Sequence, residues 1–382
     1  MIARRQLLSR AALGAGALFV APGIAFATVA TDWRFVFIIQ RGAADGLDIL
    51  RPTGDPAFAG LRGGLIGDAA LGTKLDAMFT LHPALVEMGK MYAQRQALFV
   101  HAVASPYRDR SHFDGQNVLE TGGAQPYVVR DGWLNRLVAM LPRTGEEAIA
   151  IASTVPTALR GPVQVPSFAP SALPNAADDL MTRVGALYDA DPQLHPAWAA
   201  AIETKGLAAG IGPRQDPASL GRLTASFLTK ANGPRIAMLE TLGWDTHTGQ
   251  TGRLGNQLKN LDALIAALRD GMGAAWSTTT VLVATEFGRT AAVNGTGGTD
   301  HGTGSVAMLV GGAVKGGRVI ADWPGLAAPN LYEQRDLRPT DALDALIAGA
   351  VAESLLLDPA LVGRSLFAQA TTTRPISGLV RS

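Results

Sequence analysis

The hydrophobic positions of this chain fall into short apolar runs that alternate with longer amphipathic stretches. Five runs predict buried strands, at residues 33–40, 96–104, 235–243, 278–288 and 305–314. The first of them, "WRFVFIIQ", is rich in β-branched and aromatic residues and leads into the polar, glycine-containing loop "RGAADGLD". An apolar run followed by such a segment is typical of a strand that ends at a loop carrying polar side chains.

An amphipathic stretch lies between the third and fourth runs. Its apolar residues recur at helical spacing, as Leu254, Leu258, Leu261, Ile265 and Leu268. Strands that alternate with such helices predict an α/β fold with a mostly parallel central sheet, flanked by helices on both faces.

We expect a single domain over residues 28–370. Residues 141–230 are rich in proline, alanine and aspartate and lack strong strand runs, which predicts a helical insertion or lid. Residues 371–382 are predicted to form a loosely held tail.

Residues 1–27 have the pattern of an export signal. The paired Arg4 and Arg5 precede an apolar run over residues 11–20, and "AFA" follows at residues 25–27. The adjacent arginines indicate the twin-arginine pathway, whose machinery would be a partner, and a periplasmic or secreted location. A retained membrane anchor is the alternative, although glycine and proline interrupt the apolar run.

Composition narrows the classes of function. With 47% hydrophobic and 17% charged residues, the chain of 382 residues can bury a large core. Its formal net charge of +1 gives no electrostatic reason to expect binding to nucleic acid. Cysteine is absent, which excludes disulfides, thiolate catalysis and cysteine-ligated metals. No apolar stretch after the signal reaches the length of about 18 residues that a membrane span requires.

Side chains suited to metal binding stand at the ends of the predicted strands, where ligands bind in open α/β sheets. The candidate ligands are Asp45, His112, Asp245, His247, Glu286, Asp300 and His301. Three of the six histidines lie within two residues of an acid. Mixed carboxylate and imidazole ligands favour one or two divalent ions such as zinc or manganese over calcium. The alternative is that Asp300 and His301 only shape a loop.

The segment "SPYRDRSHFDGQ" adds candidate catalytic groups. Ser111 could serve as a nucleophile near a metal ion, or as the N-cap of a helix that begins near His112. Arg108 and Arg110 could hold an anionic substrate, or be solvated charges of a loop. His82 and His195 precede prolines and His101 lies in an apolar strand, so structural roles are expected for these three histidines. Nucleophile-elbow, P-loop and H-E-x-x-H motifs are absent from the sequence.

Seven motifs together resemble the bacterial family DUF1501, a domain of unknown function: "RGAADGLD", "RSHFDGQ", "ETGG", "GWLNR", "TEFGRT", "GGTDHGTGS" and "GGAVKGGRVIADWPGL". That family is similar in turn to the alkaline phosphatase and sulfatase superfamily, whose members hydrolyse phosphate or sulfate esters at a two-metal site. The resemblance covers nearly the whole chain after the signal and implies an alkaline phosphatase-like fold.

The resemblance also implies roles for individual residues. Asp45 would be the metal ligand after the first strand, and Ser111 would stand at the position of the nucleophile. Asp245 and His247 would bind one metal, while Glu286 and His301 would stand where the superfamily has an aspartate and a late histidine. Phe287 follows Glu286 where a histidine is expected, and His112 or Asp300 could supply that missing ligand.

The expected function is therefore an exported, metal-dependent hydrolase that acts on a small phosphate or related anionic ester. Ala104 stands where a formylglycine precursor would be, which argues against the main sulfatase mechanism. The alternative is an exported binding or assembly protein that has kept the fold and lost catalysis.

Overall fold

The computed structural model describes residues 32–66, 71–142, 147–170, 178–192, 194–207, 215–369 and 374–381. The strands are β1 Arg34–Gln40, β2 Leu50–Arg51, β3 Thr73–Lys74, β4 Thr80–Leu81, β5 Ala97–Ala104, β6 Ala148–Ile151, β7 Ile236–Thr241, β8 Thr279–Thr285, β9 Ser305–Val310, β10 Arg318–Ile320 and β11 Asp341–Ala342. The α-helices are α1 Gly46–Ile49, α2 Phe58–Ile66, α3 Val86–Ala93, α4 His112–Thr121, α5 Trp133–Met140, α6 Asp178–Tyr188, α7 Leu194–Leu207, α8 Pro217–Leu228, α9 Gln250–Met272, α10 Leu343–Ser354 and α11 Pro359–Leu366. Short 3₁₀ turns occur at Thr157–Leu159, Gly273–Thr278 and Ala328–Asn330.

All five apolar runs form strands of one central sheet, namely β1, β5, β7, β8 and β9, so that prediction is confirmed. Among the described residues the sheet has eight strands, in the order β10-β5-β9-β8-β1-β7-β6, with β11 also paired to β5. A separate three-stranded antiparallel sheet has the order β2-β4-β3.

The expectation of a mostly parallel sheet needs correction, because the sheet is mixed. Strand β9 runs antiparallel to both of its neighbours, β5 and β8, while the other pairings of the central sheet are parallel. The residues between β8 and β9 contain no helix that could return the chain to the opposite edge of the sheet, and a parallel crossover usually needs one. The start of β9 therefore lies at the edge where β1, β5, β7 and β8 end.

Helices cover both faces of the sheet, as expected. Alternate residues of β1 enter opposite cores: Phe35 and Phe37 pack with α5, α10 and α11, whereas Val36 and Ile38 pack with α3, α8 and α9. Every residue of β1 is buried. This two-sided burial explains why the strands read as continuous apolar runs rather than as alternating patterns.

Two boundary expectations differ from the structure. The segment 141–230 is not purely helical, because β6 within it pairs with β7 at the edge of the central sheet. In the predicted tail, residues 374–381 are held rather than loose: Leu379 is fully buried, and the backbone N–H groups of Leu379 and Val380 donate to the carboxylate of Glu353. Both segments are short and weakly apolar, so composition alone did not predict these contacts.

The predicted export signal, residues 1–27, lies outside the described residues. Within the described part of the chain, no helix combines the length and the apolar character needed to cross a membrane.

Candidate metal centre

Four side chains converge at the edge of the sheet where β5, β7 and β8 end and β9 begins. His112 is the first residue of α4, Asp245 and His247 follow β7, and His301 precedes β9. The Nε2 atom of His247 lies 3.0 Å from Asp245 Oδ1 and 3.0 Å from His301 Nε2. His301 Nε2 lies 3.2 Å from Asp245 Oδ1, and His112 Nε2 lies 3.5 Å from Asp245 Oδ2. Reversal of β9 is what brings His301 to this edge.

The second ring nitrogen, Nδ1, of each imidazole contacts an oxygen outside the cluster. These contacts are His112 Nδ1 to Glu286 Oε1 at 2.9 Å, His247 Nδ1 to Asp300 Oδ1 at 3.0 Å and His301 Nδ1 to the backbone oxygen of Arg110 at 2.9 Å. Carboxylate and carbonyl oxygens only accept hydrogen bonds, so the neutral rings carry their hydrogen on Nδ1. Each Nε2 atom then presents a lone pair to Asp245. Such outer partners are typical of metal-bound histidines.

This donor set fits a divalent metal ion. The Nε2 atoms of His247 and His301 lie only 3.0 Å apart, and two lone pairs this close repel each other unless a cation lies beside them. His112 Nε2 is buried and finds no hydrogen-bond partner among the described residues. Ligand atoms of His112, Asp245 and His301 all lie within 4.8 Å of one another, close enough for one ion to bind all of them.

Asp245 is kept ionised and in place by Arg289. The buried guanidinium of Arg289 donates from Nη1 to Asp245 Oδ1 at 2.5 Å. Partial burial of the Asp245 carboxyl favours its neutral form, but the hydrogen bond and charge of Arg289 outweigh this, so its pKa lies below the ordinary value. Asp245 thus presents a negative charge to the three imidazoles.

The imidazoles differ in their affinity for protons. The hydrogen bond to Glu286 raises the pKa of His112 above its usual value, although burial opposes the shift. Burial lowers the pKa of His301, and the nearby His112 and Arg289 lower it further. His301 is therefore the ring that more readily keeps its Nε2 lone pair free.

Glu286 supports the cluster from behind. The carboxylate is fully buried; Oε1 accepts from the backbone N–H of Gly42 at 2.9 Å and from Gln116 Nε2 at 3.0 Å, besides its contact with His112. Phe287, the next residue, stacks on the His112 ring with 5.1 Å between the ring centroids. Glu286 thus orients the imidazole of His112 rather than facing the other ligands.

Asp300 has a similar supporting position. Its Oδ1 atom contacts His247 Nδ1 and accepts from Asn294 Nδ2, both at 3.0 Å. Asn294 also donates to the backbone oxygen of His247. The hydrogen bond from Asn294 and the contact with His247 lower the pKa of Asp300, despite slight desolvation.

Asp45 lies apart from the converging groups. Its carboxylate forms a buried, two-point ion pair with Arg62, with Nη1 to Oδ2 at 2.7 Å and Nη2 to Oδ1 at 3.1 Å. Gln250 donates to the same carboxylate at 2.6 Å. The structure therefore brings His112, Asp245, His247 and His301 together and leaves Asp45 outside this group.

The candidate catalytic groups of the loop before α4 are placed as follows. Ser111 occupies the N-cap position of α4, but its side chain makes no capping hydrogen bond. Arg110 pairs with Asp336 at 2.8 Å and with Glu333 at 2.5 Å, whereas Arg108 donates to the backbone oxygens of Ser105 and Tyr107. Both guanidinium groups are thus engaged by the protein.

Several supporting residues were not among the sequence candidates. Arg62 carries no local sequence signal, because its partner lies 17 residues earlier and meets it only through the tertiary fold. Gln116 had a signal, since it stands one helical turn after His112 on the same face of α4. Arg289 stands three residues after Glu286 in "TEFGRT", and its position after a strand marks it in the sequence, although no role could be assigned to it there.

Comparisons with known proteins identify one family. The model of the family described as "Protein of unknown function (DUF1501)" matches residues 100–341, and the sequence-based prediction of this family is confirmed. The curated proteins contain no match to the chain.

Solved structures overlap the chain partially. The C-terminal periplasmic domain of EcEptC from Escherichia coli, in complex with Zn, has 8% identity and a TM-score of 0.39, covering 74% of this chain and 73% of that one. The phosphonate monoester hydrolase of Agrobacterium radiobacter has 10% identity and a TM-score of 0.31, covering 75% and 70%. The lipoteichoic acid synthase LtaP from Listeria monocytogenes has 9% identity and a TM-score of 0.33, covering 69% and 58%. The similarity to each of these structures is distant and concerns the backbone only.

Proposed function

The chain belongs to the DUF1501 family, and we propose that it is an exported, metal-dependent hydrolase of phosphate or related anionic esters. The proposed ligands are His112, His247, His301 and Asp245. Zinc and manganese are the ions that a set of three imidazoles and one carboxylate favours. Export by the twin-arginine pathway to the periplasm or the medium is part of the proposal and depends on the pattern of residues 1–27.

One observation carries the proposal: Nε2 atoms of His112 and His301 share a small volume with the Asp245 carboxylate, and His247 Nε2 lies 3.0 Å from both Asp245 and His301. Each ring also has its Nδ1 atom held by an acceptor. Packing alone gives no reason to direct three imidazole lone pairs at a common point. Asp245 and His247 are each about two-fifths exposed at the side chain, so the site opens to solvent and a substrate can reach it.

When bound, a divalent ion would supply Lewis acidity at the ester and lower the pKa of a nucleophilic oxygen. The chain itself supplies orientation and charge. Glu286 and Asp300 fix the rings of His112 and His247, and the backbone oxygen of Arg110 fixes His301. These contacts keep the ligand atoms aimed before a substrate arrives, so little reorganisation is needed in the reaction.

Ser111 is the proposed nucleophile. It directly precedes His112 and stands at the N-terminus of the ten-residue helix α4, where backbone N–H groups favour an anionic group. Its hydroxyl makes no capping hydrogen bond to the helix. The guanidinium groups of Arg108 and Arg110 bind other groups of the protein. We therefore propose that these arginines do not hold the substrate but stabilise the loop that carries Ser111.

The test is to purify the protein, measure bound metals, and screen aryl phosphates, phosphate diesters and sulfate esters in the presence of zinc or manganese. We expect turnover that a chelator abolishes, and loss of turnover in Ser111→Ala and Asp245→Ala. Asp179→Asn, which changes an exposed carboxylate of α6, is the control and should keep full activity. Absence of bound metal after purification under metal-replete conditions would contradict the proposal.

The engaged arginines favour a second candidate function. Arg110 is paired with two carboxylates and Arg108 donates from Nη1 to two backbone oxygens. With both arginines bound to the protein in this way, the centre could hold a metal ion in an exported binding or assembly protein without catalysis. Asp245→Ala separates the two functions. In an enzyme it removes turnover while the protein stays folded; at a structural metal site it mainly lowers the Tm, and no ester is hydrolysed by the parent protein.

A further inference from the structure

The resemblance described above implies two metal ions, one of which would need Asp45 as a ligand. A carboxylate can bind an ion only through an oxygen that still has a free lone pair. The environment of Asp45 therefore decides whether the second ion has a place. The inference rests on the proposed metal centre, but it can fail while the centre stands.

Both oxygens of Asp45 are fully used by the protein. Oδ2 accepts from Arg62 Nη1 at 2.7 Å and from Gln250 Nε2 at 2.6 Å. Thr299 Oγ1 lies 3.1 Å from the same oxygen, but its one hydrogen has a closer acceptor in Gln250 Oε1, at 2.7 Å. Oδ1 accepts from Arg62 Nη2 at 3.1 Å and from the backbone N–H of Asp48 at 3.3 Å. A carboxylate offers about four lone-pair positions, and four N–H groups, two of them from Arg62, already use them.

Arg62 is a fixed part of this arrangement. Its side chain is fully buried, and besides Asp45 it donates from Nε to the backbone oxygen of Ala291 and from Nη2 to that of Thr290, each at 2.7 Å. These four hydrogen bonds leave the guanidinium no route to solvent. A divalent ion placed on Asp45 would have to displace it or lie beside a buried positive charge, and both are costly.

The other acid at the end of β1 is also occupied. Asp48 Oδ1 accepts from Arg51 Nε at 3.0 Å and from Arg51 Nη2 at 2.8 Å, and both side chains are buried. Asp48 Oδ2 lies 3.4 Å from Gln250 Nε2. Each carboxylate after β1 thus pairs with its own arginine.

A hydrogen-bonded chain joins this ion pair to the metal centre. Gln250 donates from Nε2 to Asp45, and its Oε1 accepts from Thr299 Oγ1 at 2.7 Å. Arg289 Nε donates to Thr299 Oγ1 at 3.2 Å, and Arg289 Nη1 donates to Asp245 at 2.5 Å. Negative and positive groups alternate along it, from Arg62 through Asp45 and Arg289 to Asp245. We infer that Arg62 takes the place of a second metal ion beside Asp45, so that the protein binds a single ion, at His112, His247, His301 and Asp245.

Metal stoichiometry tests this inference. The full protein is loaded with zinc and separated from excess ion by gel filtration. Inductively coupled plasma mass spectrometry then gives the number of zinc ions per chain. We expect one ion per chain in the parent protein, one in Asp45→Asn, and loss of the ion in the isosteric variant Asp245→Asn. Circular dichroism checks that each variant is folded.

The outcomes separate this inference from the proposed function. Two ions per chain in the parent protein, or loss of the ion from a folded Asp45→Asn variant, would overturn the single-ion inference and leave the metal centre standing. No ion in the parent protein would overturn the centre itself and the inference with it. If Asp45→Asn does not fold, the parent protein loaded with manganese decides: the electron paramagnetic resonance spectrum of an isolated Mn²⁺ ion is expected, and the spectrum of a coupled pair contradicts it.

Discussion

At the scale of the residue, the partner of each Nδ1 atom separates a metal ligand from an ordinary histidine. His112, His247 and His301 all have that nitrogen held by an oxygen, which leaves Nε2 free to bind. His101 differs, because both of its ring nitrogens are satisfied by backbone groups. Sequence spacing identified the three candidate ligands from their acidic neighbours, but it could not show which acids face Nε2 atoms, as Asp245 does, and which contact Nδ1 atoms, as Glu286 and Asp300 do.

Glu286 provides a test of this supporting role. In Glu286→Gln the amide could donate to His112 Nδ1, which would place the ring hydrogen on Nε2 and remove its lone pair. We expect zinc affinity to fall by about 10- to 100-fold without unfolding, as for other partners of metal-bound histidines. Competition with a chromophoric chelator measures the affinity. Glu87→Gln, on the surface of α3, is the control; an unchanged affinity in Glu286→Gln would contradict the orienting role.

Arg62 provides a test of the buried ion pair. Arg62→Met keeps much of the side-chain volume but leaves the Asp45 carboxylate buried without its counter-ion. We expect the free energy of unfolding to fall by about 3–5 kcal/mol, the usual result of breaking a buried pair. Denaturant titration measures it. Arg183→Met breaks an exposed pair of similar type with Asp179 and should change stability little; equal effects of the two substitutions would contradict the account.

At the scale of the element, the direction of β9 is the feature that the sequence prediction missed. The apolar run over residues 305–314 shows a strand but carries no direction, so a parallel arrangement was expected. The signal that could have revealed it is the connection: no amphipathic helix lies between β8 and β9, and parallel neighbours need such a crossover. The positions of Asp300 and His301 before a strand pointed to the same conclusion.

The glycine-rich loop before β9 has a steric requirement that can be tested. A Cβ atom added to Gly298 would lie 2.3 Å from the backbone carbonyl of His247, whereas one added to Gly295 would meet nothing within 4 Å. We expect Gly298→Ala to displace His247 and lower zinc affinity by about tenfold or more, since such shifts disturb ligand orientation. Gly295→Ala is the matched control from the same loop. Equal affinity in the two variants would show that the close approach is not required.

The bulge of β5 makes stability depend on pH. His101 at the bulge accepts the N–H of its neighbour Ala102 at Nδ1 and contacts the backbone oxygen of Leu50 through Nε2, which only the neutral ring can do. Burial lowers its pKa to about 4. The unfolded chain, with a pKa near 6.5, binds more protons between these values, so stability is present above pH 6.5 and is lost as the pH falls towards 4.

We expect this histidine to cost about 2 kcal/mol of stability between pH 7 and pH 5. Denaturant titrations at the two pH values, with a chelator present to silence the metal centre, measure the loss. His101→Gln should be less stable at pH 7 but lose less on acidification than the parent protein. An identical loss in both proteins would show that His101 is not protonated on unfolding.

At the scale of the whole molecule, the sequence supported the strands, the two-sided burial and the set of residues that meet at one edge. The candidate residues meet because the loops that follow parallel strands all lie at the same edge of the sheet. Asp45 also follows a strand of this edge, yet it lies outside the centre because it pairs with Arg62. Arg62 belongs to the helix α2, and nothing in the sequence indicates that the two residues meet. Buried ion pairs between distant elements depend on tertiary packing, and a single sequence does not display them.

The location of a bound ion tests the central claim most directly. A crystal of the protein grown with zinc, measured at the zinc absorption edge, gives the ion's position from its anomalous scattering. The account predicts one strong peak at about 2.0–2.2 Å from Nε2 of His112, His247 and His301 and from a carboxylate oxygen of Asp245. A well-ordered centre with no peak there, or a peak bound by Asp45 instead, would contradict it.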